Sequence, residues 1–253
     1  MASGGDLRAE GVRGPYLAGR IKSLILDLSV PRAGERVLDV GCGSGENLSL
    51  FLRKGCDVTG LDTSPLLLDQ ARQRVGHRGE FHHGQPEDLP FSDNEFDIVT
   101  LIATLEFTAD PARTVAEAIR VCRGRVLIGT LNRFSALGLQ GRLPDLFAPP
   151  PGKANRFFHL FSLAALIRRQ LPGVRLQWGS VLFLPWGSYG STSALEEWLP
   201  VMHNPCGAFF ALSFPVTFSL QTIQEVIRNP VVLAAEGGRP LPGVVGRSVN
   251  HGS

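Results

Sequence analysis

No CxxC pair and no histidine at ligand spacing accompany the four cysteines of this 253-residue chain. Cys42, Cys56, Cys122 and Cys206 therefore read as reduced, mostly buried thiols, and neither a disulfide framework nor a metal site is expected. Long hydrophobic runs are scarce too. The longest, residues 207–220, is broken by Ser213, Pro215 and Thr217 and is too short to span a bilayer. The opening MASGGDLRAEGVRG lacks the apolar core of a secretory signal, so a cytoplasmic protein is expected. Charge of one sign is also missing. With a net charge of +2 and its lysines and arginines scattered, the chain offers no basic stripe for nucleic acid or an anionic membrane.

What is present is a hydrophobic fraction of 43%, enough for one α/β domain with a substantial core. Residues 15–30 carry Leu17, Ile21, Leu24, Ile25 and Leu28 at helical spacing and form a leading helix. Strand-like RVLDV, DVTGLD, EFHHG, FDIVTLI and RVLIGTL then alternate with helical stretches near residues 45–53, 65–75 and 111–122. This alternation predicts an α/β fold with a parallel sheet covered by helices on both faces. Residues 1–229 are expected to be a single domain, with 34–135 its ligand-binding half and 136–217 a variable substrate and lid region. In that region NRFSALGLQGRL reads as a helix and the Pro-rich stretch after it as a lid. FSLAALIRRQL reads as a helix capped by Ser162, and ALEEWLPVM as a helix between two strands. Residues 230–253 read as a flexible tail.

The turn VLDVGCGSGENL decides which ligand to expect. A phosphate-binding loop needs a Lys-Ser/Thr pair after its glycines, which is absent, and the dinucleotide fingerprint needs glycine where Glu46 stands. A dehydrogenase is disfavoured on the same residue. The spacing here is GxGxG, with Asp39 two residues before Gly41 and Asp62 at the end of the second strand, where a carboxylate can hold ribose hydroxyls. A nucleoside without a pyrophosphate is implied, and an amino-acid tail fits the helix start and the nearby Asp39.

VLDVGCGSGENL, VTGLDTSPLLLDQAR, GQPEDLPFSDNEFDIVTLIATLEFTADPARTVAEAIRV and RVLIGTLN together resemble class I S-adenosylmethionine-dependent methyltransferases, over about residues 34–135. The nearest branch is the type 11 group, which includes enzymes of ubiquinone and menaquinone synthesis. The resemblance implies a Rossmann-like, doubly wound sheet of seven strands, mostly parallel with an antiparallel last strand. The resemblance implies that Gly41, Cys42, Gly43 and Gly45 bring backbone to the methionine part, with Asp39 holding the loop or the amino group. It implies Asp62 on the ribose and Thr63 beside the adenine, with Ser64 next to it. Gln85, Pro86 and Glu87 would cap the adenine edge, and Ile102 and Ala103 would line the pocket. Gln85 stands where most relatives have Asp, and Phe107 where they often have His. The usual PGG turn before the fifth strand is shortened.

Methyl transfer from a sulfonium is an in-line displacement that the protein assists by alignment and exclusion of water. A phenol or alcohol acceptor would also need a base. Glu106 and His159 are the candidates for that role. Asn132, His203 and Tyr16 are further polar groups to consider, while His82 and His83 read as strand-end residues without a chemical role. No NPPY-type sequence and no Pro-Cys nucleophile follow the fourth strand, so nucleic-acid methylation is not expected. Trp178, Trp186, Trp198 and several phenylalanines of the second half read as core, with part of the set, Trp186 first, suited to an aromatic or apolar small-molecule acceptor. The alternative is a regulatory or assembly subunit that keeps the cofactor pocket and has little or no turnover.

Overall fold

The strands send alternate residues to opposite faces, and each face finds its own set of helices. In the computed structural model, which describes residues 4–132, 135, 158–184 and 201–216, the strands are β1 (Arg36–Val40), β2 (Asp57–Asp62), β3 (Gly79–His83), β4 (Phe96–Ile102), β5 (Cys122–Leu131), β6 (Gln177–Val181) and β7 (Phe209–Pro215). They form one sheet of seven strands in the order β3-β2-β1-β4-β5-β7-β6. The first five run parallel, and β7 lies antiparallel between β5 and β6. This is the expected doubly wound sheet with its last strand reversed.

The helices are α1 (Gly4–Ser29), α2 (Glu46–Arg53), α3 (Pro65–Val75), α4 (Pro111–Val121) and α5 (Leu160–Gln170). Val37, Ile98 and Leu127 point to one face and pack with Leu17, Ile21, Leu24, Ile25 and Leu28 of α1, Phe51 of α2 and Leu68 of α3. Their neighbours Leu38, Val99 and Val126 point to the other face and pack with Val115 and Ala118 of α4 and Leu163 and Ile167 of α5. Period-two strands between period-3.6 helices give two cores on one sheet.

Local chemistry sets the helix ends. Ser64 caps α3 by accepting from the Leu67 N–H, and Asp110 caps α4 by accepting from those of Ala112 and Arg113. Pro65 and Pro111 follow at first-turn positions, where a missing N–H costs nothing. At the other end of α1, the Arg125 guanidinium donates to the Ser29 and Val30 carbonyls and pairs with Glu35 at 2.7 Å. A cation on the last carbonyls of a helix satisfies them and opposes the helix dipole. The same contact fastens α1 to β5.

Four expectations shift. α1 begins at Gly4, ahead of its apolar stripe, because DLRAEG supplies mostly adequate helix formers. β5 begins at Cys122 rather than 125: α4 passes into the strand with no turn, which is how the shortened PGG segment is accommodated. α5 is capped at His159, and Ser162 occupies its third position, where its hydroxyl accepts from the His159 N–H at 3.2 Å. Val201 and Met202 lie in extended chain, with Met202 bridged to Gly179 of β6, rather than in a helix. The expected helix and Pro-rich lid of residues 136–157, Trp186, Trp198 and the tail 230–253 lie outside the described residues.

Gly124, in the extended start of β5, has no room for a side chain, since an added Cβ would overlap the Asp97 carbonyl oxygen of β4. Gly124→Ala is expected to lower unfolding stability by about 1–3 kcal/mol, as overpacked cores do, measured by urea denaturation.

Candidate active site

The chain leaves β1 toward β2 and β3, then returns to place β4 on the other side of β1, so a crevice opens at the carboxyl ends of β1 and β4. The glycine turn fills the near wall of this crevice. The N–H groups of Gly41 and Cys42 both donate to Leu61 O, at 2.7 and 3.0 Å, which folds the turn onto the end of β2.

Gly41, Gly43 and Gly45 all have positive φ, but each is needed for a different reason. A Cβ on Gly41 would stand 2.8 Å from the Thr104 side chain, whose Oγ1 donates to Val40 O at 2.7 Å. A Cβ on Gly45 would meet Ala71 at 3.1 Å, where α3 crosses the start of α2. Gly43 alone of these glycines faces open space, with nothing among the described residues within 4 Å of where its Cβ would stand. Cys42 turns its thiol inward, into the room left by Gly60, and burial pushes that thiol well above its ordinary range. Only its backbone is offered to a ligand.

Two carboxylates stand beside this turn. Asp62 Oδ2 accepts from the Gly43 N–H at 2.9 Å and Oδ1 from the Ser64 N–H at 2.8 Å, leaving lone pairs on both oxygens. Asp39 is 1% exposed; its Oδ1 accepts from Thr100 Oγ1 at 2.6 Å, and its Oδ2 has no hydrogen-bond partner among the described residues. Burial raises the Asp39 carboxyl to about 7, against the Thr100 hydrogen bond; the Asp62 charge adds to the rise and the Asn47 side chain opposes it.

Around them, Gly84 N donates to Asp62 O at 3.2 Å, which brings the start of the Gln85 loop to the end of β2. Thr63 is half-buried, and its carbonyl accepts from His83 Nε2 at 3.1 Å, so His83 braces this corner. Gln85 is exposed and Pro86 buried. Glu87 is turned toward α4, with Oε1 accepting from the Ala109 N–H at 2.7 Å. Arg120 holds the following residues in place by donating to the Leu89 and Phe91 carbonyls while paired with Glu117 and Asp93. At the end of β4, Ile102 is buried and Ala103 adopts φ +52°, its N–H donating to Gly129 O at 2.8 Å.

The remaining candidates separate. Glu106, 3% exposed, lies in the 3₁₀ turn Leu105–Phe107 just after β4. Its Oε1 accepts from Thr130 Oγ1 at 2.5 Å and from the Leu131 N–H at 3.3 Å, and its Oε2 has no hydrogen-bond partner among the described residues. Burial holds this carboxyl above its usual range despite those bonds. His159 is exposed at the start of α5. Asn132 fastens the end of β5 by donating to the Pro205 and Gly207 carbonyls. His203 is exposed and sets its ring edge against Trp178, and Tyr16 packs against the α1 core. Thr100, Thr104 and Arg120 escaped the sequence reading. Isolated Thr and Arg codes carry no sign of what they will touch across about 60 or about 30 residues of chain.

A phosphate would find this crevice hostile, because Asp39 and Asp62 flank the open glycine and the Gly43 N–H is already engaged by Asp62. A cation-bearing ligand would not. Residues 38–128 match the family described as a methyltransferase domain. Ubiquinone biosynthesis O-methyltransferase of Aromatoleum aromaticum is 37% identical over 127 residues, covering 46% of this chain and 54% of that protein. Demethylmenaquinone methyltransferase of Clavibacter sepedonicus is 36% identical over 102 residues, covering 39% and 42%. The chain spans about half the length of these curated relatives. Among solved structures, a SAM-dependent methyltransferase of Thermotoga maritima, described as a possible histamine N-methyltransferase, aligns with a TM-score of 0.60. It is 25% identical and covers 80% of this chain and 89% of that one.

The Thermotoga maritima protein is described as SAM-dependent, and the residues present here fit S-adenosylmethionine. An orphaned, fully buried carboxylate oxygen on Asp39 needs a donor, and an ammonium supplies one. The sulfonium and ammonium together match an acidic, glycine-walled crevice.

The glycines can be told apart by unfolding. Gly41→Ala should destabilise the fold by about 2–5 kcal/mol, combining left-handed strain with overpacking against Thr104. Gly43→Ala should cost about 1–2 kcal/mol from strain alone. Asp39 predicts a pH dependence. Its folded value lies above the ordinary 3.8, so its contribution to the free protein's stability falls as pH rises from 3.8 through about 7. The ionised form is the one that attracts a cation, so S-adenosylmethionine affinity should rise by up to about tenfold between about pH 6 and about pH 8. Calorimetric titration at several pH values measures this, and Asp39→Asn should flatten the stability trend.

Proposed function

We propose that this chain transfers a methyl group from S-adenosylmethionine to a small-molecule acceptor. The carrying observation is the open Gly43 between two carboxylates, at the crevice where β1 and β4 diverge. S-adenosylmethionine would supply an activated methyl on a sulfonium whose positive charge is lost in the displacement. Asp39 would hold the ammonium through Oδ2, Asp62 would take the ribose hydroxyls on its remaining lone pairs, and Thr63, Gln85 and Pro86 would border the adenine. Gly41, Cys42 and Gly45 would shape the turn, and Ile102 and Ala103 would form the wall after β4. Glu87 supports the loop from the α4 side.

Relatives named for ubiquinone and menaquinone chemistry support an aromatic or apolar small-molecule acceptor. Among the described residues no helix is long and apolar enough to cross a membrane, and we place the protein in the cytoplasm. Glu106 is the group we assign to the acceptor's proton. Its buried, unpartnered Oε2 lies at the end of β4, and Thr130 and Leu131 fix the other oxygen. A carboxyl held above its usual range makes a stronger base once ionised. His159, exposed at the start of α5, is the second choice.

Calorimetry should show S-adenosylmethionine binding and no NADH binding; the reverse would sink the assignment. With a hydroxyl acceptor found by screening phenols, Glu106→Gln should lower turnover by about 100-fold or more while leaving cofactor affinity unchanged. At saturating S-adenosylmethionine the wild-type rate should climb with pH as Glu106 ionises, and the variant should lose that part of the rise. Equal rates would return Glu106 to a packing role.

A further inference from the structure

The back of the glycine turn differs in charge from its front. There α2, α3 and the turn after α3 enclose a concavity lined by Ser49, Leu52, Arg53, Arg74 and Arg78. Arg74 is fixed in place: its guanidinium donates to the Ser44 carbonyl at 2.7 Å and to Ser44 Oγ at 2.6 Å, with Glu46 at 4.0 Å on the rim. Arg53 and Arg78 have no carboxylate within ion-pair distance among the described residues. By contrast Arg36, Arg120, Arg123 and Arg125 are each matched to an acid.

Three guanidiniums around one hollow repel one another, and low-dielectric walls such as Leu52 focus their field outward. Their planar forks suit the oxygens of a phosphate, and three positive charges balance a polyanion better than a single carboxylate. Arg74 supplies a preorganised donor, since its Ser44 contacts already fix its position.

We propose that this concavity is a binding site for a small phosphate-bearing anion, separate from the acidic cofactor crevice on the other side of the turn. It does not rest on the methyl-transfer reading, because none of its residues takes part there.

The test uses the full chain in phosphate-free buffer. Inorganic pyrophosphate should bind saturably by calorimetry, and Arg53→Ala/Arg78→Ala should weaken it by at least about tenfold. Arg113→Ala/Arg168→Ala, which removes two arginines elsewhere, should leave it unchanged. A parallel arm uses vesicles containing phosphatidic acid against vesicles of phosphatidylcholine alone, to separate a lipid headgroup from a free phosphate compound. Binding to either phosphate probe that the double variant loses supports the site, and the probe that binds names its source. Undiminished binding in the double variant, or no saturable binding of either probe, overturns it. Arg78→Glu gives an independent reading. It should abolish pyrophosphate binding while raising the melting temperature of the free protein, and a fall in melting temperature would contradict the unbalanced charge on which the site depends.

Discussion

At the end of β1 three stretches of backbone meet around the side chain of Thr104. Thr104 presses its methyl and hydroxyl into the space a Cβ on Gly41 would fill, and its Oγ1 donates to Val40 O. From the other side, Gly41 and Cys42 give both their N–H groups to Leu61 O. This contact sets the distance between the ends of β1, β2 and β4, and the rest of the crevice follows from it. Asp62 lies one residue beyond Leu61, Ala103 one residue before Thr104, and Gly43 two residues past Gly41. A fold that kept the sheet but lost this junction would have the same residues without their arrangement.

The electrostatics of the two sides of the turn follow from the same geometry. Its front carries Asp39 and Asp62, one buried with an oxygen left unpartnered and the other holding the turn's own N–H. Its back is held by Arg74 through Ser44. A buried carboxylate oxygen without a donor costs on the order of 1–3 kcal/mol, and Asp39 and Glu106 each keep one. Both lie where β1 or β4 ends, the places where this fold exposes groups to ligands.

Much of this was legible in particular residues. The stripe from Leu17 to Leu28 marked the buried face of α1, and Pro65 and Pro111 marked helix starts. Alternation of strand and helix marked a parallel sheet covered on both faces, and the reversed last strand came only with the family resemblance. Other features were not legible, and each failure has a local cause. Glu87 sits in a loop expected beside the adenine, yet its carboxylate faces the start of α4, because that helix entry offers it two N–H donors. Ser162 has the chemistry of a cap, but the helix begins about one turn earlier and its hydroxyl reaches back instead. His83 does end β3 as expected, but its contact with Thr63 O depends on the register of β2 with β3.

By itself the sequence determined the layering of helices on both faces of a sheet and the kind of ligand to expect, because periodicity, capping and the spacing of Asp39, Gly41 and Asp62 are local properties of the chain. Only the tertiary structure decided which glycine serves packing and which faces the ligand. Their backbone angles have the same sign, and what separates them is Thr104 and Ala71, residues brought close across the sheet and between helices. The same holds for Asp39 and Glu106. A carboxylate's value in a site depends on its burial and on what it lacks, and neither can be read until the chain has folded around it.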